Sequence, residues 1–152
     1  MTNTPPLVQL LPHDAPMILI DDLISVGVEN VHCQVTIRSD HLFFDNQRQG
    51  VAGYVGIELM AQTIAGWAGY HAWQQGKPTP IGFLLGCRRY HSEWPQFDKG
   101  CVLDIYAERL IQDDNMAVFS CTIVNQQQTI ASSQLNAYLP SPEKIATLLT
   151  TK

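Results

Sequence analysis

The chain has 152 residues, of which 45% are hydrophobic and only 15% charged, and a formal net charge of −5. That length suits one domain that buries a core without disulfide or metal staples. An acidic chain lacks the basic footprint of a nucleic-acid binder, so that class is set aside. A surface poor in charge fits partial cover by another subunit. It equally fits a chain that uses uncharged polar residues instead, as in Gln126-Gln127-Gln128.

The first residues, Met1 to Pro6, carry no basic or apolar stretch of the kind that opens a secretory signal, and a cytoplasmic protein is expected. Pro5-Pro6 predicts a short helix to about Leu11, ended by Pro12. An apolar run from Met17 to Ile20 leads through Asp21-Asp22 into a short strand over 23–26. Val31, Cys33, Val35 and Ile37 alternate with polar residues, the period of a half-buried strand. Residues 41–53 read as loop. Residues 54–73 predict a long helix whose apolar residues fall on nearly every face, the mark of a buried helix. Glu58, Gln62, His71 and three glycines interrupt it, so no membrane span is expected. Gly76 and Pro78 close it.

Strands are predicted over 81–94, 102–111, 116–124 and 129–139, with short turns at Asp113-Asp114-Asn115 and over 125–128 that suit antiparallel neighbours. Pro140 and Pro142 end the domain, giving one domain over 1–140 and a C-terminal tail over 141–152. One buried helix followed by long antiparallel strands is an α+β layout. A sheet wrapped round the helix, completed by dimerisation, satisfies it.

Glu58 is the leading candidate for chemistry. A carboxylate in a buried helix is raised in pKa by burial, while the nearby helix N-terminus favours its charged form. A carboxyl held between these effects suits general acid or base work; a cap or an Arg partner would be its structural use. Gln62 lies one turn on, at i+4. Ala65, Gly66 and Gly69 extend that face, either bordering a tunnel for a chain-like ligand or letting another element approach closely. The five histidines are His13, His32, His41, His71 and His91. His32 falls on the polar side of its strand, and His13 sits in a proline-bracketed turn. Arg88 and Arg89, adjacent in a strand, are expected on opposite faces, one of them placed to meet an anionic partner. Cys33, Cys87, Cys101 and Cys121 form no C-x-x-C pair and lack histidines at ligand spacing, so neither metal nor disulfide is expected. Hydrolase-elbow, P-loop and dinucleotide motifs are absent from the sequence.

The stretch Leu11-Pro12-His13-Asp14-Ala15-Pro16-Met17-Ile18-Leu19-Ile20-Asp21 resembles the L-P-H-x-x-P opening of the FabZ-type 3-hydroxyacyl–acyl carrier protein dehydratases. Gly53-Tyr54-Val55-Gly56-Ile57-Glu58-Leu59-Met60-Ala61-Gln62 resembles their G-V-x-x-x-E-x-M-A-Q helix. Residues 81–90 and 95–100 are similar to the strand and turn that follow. The wording G-I-E-L-M-A-Q-T with G-F-L-L-G-C-R-R-Y is closer still to the ApeP-type branch, found with aryl polyene pigment clusters. The resemblance implies a hotdog fold, a dimer, an acyl carrier protein as partner and no cofactor. It implies a site between subunits, where a His of one chain takes the α-proton and the helix carboxylate of the other protonates the leaving hydroxyl. Carried over, Glu58 is that carboxylate, with Gln62 beside it. Gly53, Tyr54 and Val55 supply backbone N–H groups to the thioester carbonyl.

The family's catalytic His lies fourteen residues before the Glu; here that residue is Phe44, and the segment runs Asp45-Asn46-Gln47-Arg48-Gln49-Gly50 with no His. Four readings follow. The chain is a dehydratase subunit whose His comes from a FabZ-like partner in a hetero-oligomer. Or it is a homodimeric dehydratase that recruits His13 or His41 as base. Or it is a non-catalytic subunit binding acyl carrier protein. Or it is a thioesterase, which nothing in the sequence favours.

Overall fold

The computed structural model describes residues 5–12, 17–80 and 83–138; His13 and the tail over 141–152 lie outside them. The elements run α1 (Leu7–Leu10), β1 (Asp22–Val26), β2 (Asn30–Thr36), β3 (Phe44–Asp45), β4 (Gly50–Ala52), a 3-10 turn (Gly53–Val55) and α2 (Gly56–Gln74). They continue as β5 (Phe83–Ser92), β6 (Gln96–Asp98), β7 (Val102–Asp113), β8 (Met116–Asn125) and β9 (Gln128–Tyr138). This is the expected α+β order, one long helix ahead of long strands.

Six strands form one antiparallel sheet in the order β1-β2-β7-β8-β9-β5; β3, β4 and β6 form a smaller one. Strand alternation decides what faces inward. Val31, Cys33 and Val35 of β2 are buried, as are Leu103, Ile105 and Ala107 of β7 and Phe119, Cys121 and Ile123 of β8. Leu59, Met60 and Ile64 of α2 pack into the same core, so the sheet curves over the helix. Burial pushes the Cys33 and Cys121 thiols up to about 12, which leaves both as inert core residues.

The segment read as loop over 41–53 contains β3 and β4. Val51 and Phe97, directly paired between β4 and β6, are wholly buried, but strands of two and three residues are too short to show a period. A larger correction concerns α2. It is not covered all round: Tyr54 (75% exposed) and Glu58 are open, and Ile57, Ala61 and Ala65 are half-buried. These positions recur at three- and four-residue spacing, so they form one stripe along the helix.

The small residues beside that stripe serve close packing. A Cβ on Gly69 would collide with the Leu10 carbonyl, and one on Gly66 would touch Leu7, Leu11 and Cys33. Gly69 therefore seats α1 on α2, while a side chain on Gly66 would make only ordinary contacts. Gly69→Ala gains helix propensity worth about 1 kcal/mol. It is expected nonetheless to lose about 1–3 kcal/mol net, because backbone rather than a flexible side chain must move. Urea unfolding midpoints of the two proteins check this.

In β5 the alternation breaks. Arg88 pairs with Gln134 and His91 with Ser132, so β5 carries one extra residue at this point, beside another between Leu84 and Gly86, and Arg89 has φ 57. Arg88 and Arg89, expected on opposite faces, are both exposed.

Candidate active site

The start of α2 is held by contacts that depend on glycine. The Gly53 N–H donates to Pro95 O at 2.8 Å, and a Cβ there would strike the Trp94 and Pro95 carbonyls. The Tyr90 hydroxyl donates to Gly53 O at 2.5 Å, and a side chain on Gly56 would occupy the space the Tyr90 hydroxyl fills. Burial raises the Tyr90 phenol above its usual 10.0, so it stays a donor at neutral pH. Of the three expected carbonyl-polarising positions, Gly53 has thus spent its N–H inside the chain. The turn offers Tyr54 as its next donor, at the positive end of a 19-residue helix.

Glu58 lies in the first turn of α2. Its side chain is exposed, and it makes no hydrogen bond or ion pair among the described residues. The expected burial is absent from this chain on its own. Neither a capping contact nor an Arg partner engages Glu58 among the described residues.

Gln62, expected beside a ligand, has both ends of its amide engaged by the backbone. Its Oε1 accepts from Leu19 N at 2.8 Å, and its Nε2 donates to Met17 O at 2.6 Å. The side chain is 3% exposed. It fastens the segment entering β1 to the helix that carries Glu58.

Where the resemblance implies a catalytic His, the chain makes a tight β3–β4 turn. Asp45 Oδ1 accepts from Gln47 N at 2.9 Å and Arg48 N at 3.2 Å, Gln49 N donates to Asp45 O at 2.7 Å, and Gln49 has φ 56. The four described histidines are all engaged. His32 Nε2 lies 2.7 Å from Asp104 Oδ1, and the ring stacks on Tyr106. His71 Nε2 lies 2.8 Å from Gly27 O, and His91 Nε2 lies 3.0 Å from Glu93 Oε1. His41 Nε2 lies 3.3 Å from Leu19 O, while its Nδ1 accepts from Phe43 N at 3.2 Å. Both its nitrogens are used by backbone, so it has no ring position left to take a substrate proton.

Burial lowers the His41 pKa below its usual 6.5, with the Leu19 carbonyl opposing the shift. The unfolded chain therefore binds a proton that the folded chain resists. The stability tied to neutral His41 is complete above 6.5 and is lost as pH falls through the folded value. His41→Gln should narrow the fall in melting temperature between about pH 8 and about pH 5.5. Parallel thermal melts at the two pH values read this directly.

Tyr90 and the Asp45 turn were not singled out by sequence reasoning. Gly56, whose missing side chain leaves room for the Tyr90 hydroxyl, was the signal for the first; the His-free stretch from Asp45 to Gly50 was the signal for the second.

An antiparallel sheet curved over one long helix is the hotdog fold, and solved hotdog proteins superpose on it. A hypothetical thioesterase with coenzyme A from Streptococcus pneumoniae TIGR4 is 12% identical with a TM-score of 0.62, over 79% of this chain and 85% of that one. PaaI from the E. coli phenylacetic acid degradation operon is 19% identical with a TM-score of 0.57, over 77% and 81%. At those identities they show the fold alone. A family model described as ApeP-like, ApeP dehydratase, matches residues 5–150, and the chain belongs to that family. The solved dehydratase heterocomplex ApeI:P from Xenorhabdus doucetiae contains a chain 33% identical with a TM-score of 0.87, over 96% of this chain and 98% of that one. No curated protein matches.

Proposed function

We propose that this protein is the carboxylate-bearing subunit of a hetero-oligomeric 3-hydroxyacyl–[acyl carrier protein] dehydratase. The observation that carries the reading is Glu58, an open and unpartnered carboxylate in the first turn of α2, in a chain whose described imidazoles are all engaged. One half of an acid–base pair is present and free; the other must come from elsewhere. Similarity to a chain of the ApeI:P heterocomplex supports a FabZ-like partner as its source.

In this reading the partner seats on the open stripe of α2 and buries Glu58 against the substrate. A partner His removes the α-proton of the 3-hydroxyacyl thioester. The developing enolate oxygen is met by the Tyr54 N–H and the positive end of α2. Glu58, protonated in that closed site, gives its proton to the 3-hydroxyl; the C–O bond breaks and water leaves. The product is a 2-enoyl thioester, and the proton on the His returns to Glu58 to close the cycle. The Gln62 clamp fixes the chain beside the site, and the Tyr90 contact fixes the turn that aims the Tyr54 N–H. The protein acts as a cytoplasmic enzyme in this reading.

The test is intact mass of a 3-hydroxyacyl carrier protein after incubation with this chain, with a FabZ-like partner, and with both. Loss of one water with the mixture, well above either chain alone, is expected. Equal activity of the partner alone and the mixture would defeat the composite site and leave a carrier-binding subunit. Dehydration by this chain alone would point to His13 as its base.

A further inference from the structure

We infer that the Arg88–Arg89 bulge of β5 is the docking point for the phosphate of the substrate's pantetheine arm, an assignment that rests on the dehydratase reading above. The chain has only nine Lys and Arg against fourteen Asp and Glu. Among the described residues, Arg38 pairs with Asp21, and Arg109 pairs with Glu29 and lies over the Trp67 ring. Arg88 and Arg89 are adjacent, both exposed, and have no carboxylate partner among the described residues. Two neighbouring guanidinium groups can grip a phosphodiester with paired, charge-assisted N–H donors.

The backbone at the pair is not that of a regular strand. A regular strand would send the two side chains to opposite faces. The extra residue and the left-handed φ of Arg89 interrupt the regular strand at this point, and a non-glycine residue is strained in that conformation. The bulge is braced from beneath, where Ser133 Oγ donates to Arg88 O at 3.0 Å and lies 2.9 Å from Cys87 Sγ.

The bulge is also tied to the reacting end. Tyr90, the next residue, reaches Gly53 O at the start of α2. Glu58 follows five residues after Gly53, about 8–9 Å of rise through the 3-10 turn and the first residues of α2. The arginines thus stand at one end of a short, rigid connection whose other end holds the carboxylate. An extended pantetheine arm has a phosphate at one end and the thioester at the other, so the proposal seats the phosphate at the arginines and the thioester near Glu58. Charged residues at a sheet edge in general also keep edges from pairing, and the test below separates that use.

The experiment uses the complex with its partner and compares wild type with Arg88→Gln/Arg89→Gln. Substrates are one 3-hydroxyacyl group carried by the acyl carrier protein, by phosphopantetheine, and by pantetheine without phosphate. The expected result is a KM about tenfold higher or more for the first two and unchanged for pantetheine. Arg88→Lys/Arg89→Lys should recover part of the loss. An equal loss on all three substrates would overturn the proposal in favour of a structural role. A loss confined to the carrier protein would overturn it in favour of a protein-surface contact. New self-association with unchanged KM would make the pair an edge guard only. Should wild type dehydrate none of the three, the dehydratase reading fails. Calorimetric binding of the phosphopantetheine thioester to the wild-type and double-variant complexes would then still decide the docking site.

Discussion

Replacing Glu58 with Gln is expected to cut dehydration by the assembled enzyme by about 10²–10⁴-fold while leaving the melting temperature of this chain unchanged. The kinetic loss has the size of one positioned acid or base removed from a transition state. It should fall on kcat, because the amide keeps the shape of the carboxyl but cannot deliver its proton to the hydroxyl. The thermal result follows from the geometry: the side chain is exposed and makes no contact among the described residues that the substitution would break. Both readouts matter. A non-catalytic, carrier-binding subunit would tolerate Glu58→Gln in the complex with no change in rate. A structural carboxylate would show its loss in the melt. Only a catalytic acid separates the two, and a kcat assay on the complex beside a melt of the isolated chain reads both.

Much of this arrangement was legible in the residues themselves. The alternation of Val31, Cys33 and Val35 marked β2, and its inward side chains are buried. The apolar run from Tyr54 onward marked the long helix. It could not reveal that one stripe is left open, because apolar residues that meet the chain's own core and those that await a partner look alike in sequence. For the same reason Glu58 read as a buried acid, when in the single chain it is a surface one. Glycines carried less ambiguous information once neighbours were known. Ala65, Gly66 and Gly69 left both a tunnel and a close approach open, and at Gly69 the carbonyl of Leu10 decides for close approach. The bulge at Arg89 was invisible, since the extra residue is defined by pairing with β9 and not by any pattern along β5. The missing His was plain in the sequence. What the structure adds is that the β3–β4 turn in its place satisfies its own polar groups and projects no base of its own.

Gln62→Ala is expected to cost about 2–4 kcal/mol of folding stability, because two backbone groups lose their partner together. Leu19 N and Met17 O both meet the one amide, and the site is too enclosed for water to replace it freely: the side chain is 3% exposed. Gln62→Glu separates the two contacts. A carboxylate still accepts from Leu19 N but has nothing to donate to Met17 O, so that variant should lose less than Ala above the carboxylate's pKa only if the acceptor contact dominates. The same clamp links stability to the site. Leu19 is gripped from the other side by His41, through Leu19 O, and leads into β1 at Asp22, so loosening Gln62 frees a segment fixed to both α2 and the loop before β3. Urea denaturation should therefore show a lower midpoint for Gln62→Ala with an unchanged slope. A kcat loss in the complex larger than that of a surface alanine would mark the clamp as holding the helix in register for Glu58. A fully stable Gln62→Ala protein would mean that the 17–19 segment is secured by its apolar contacts alone, and that the amide's place one turn from Glu58 answers to the ligand instead.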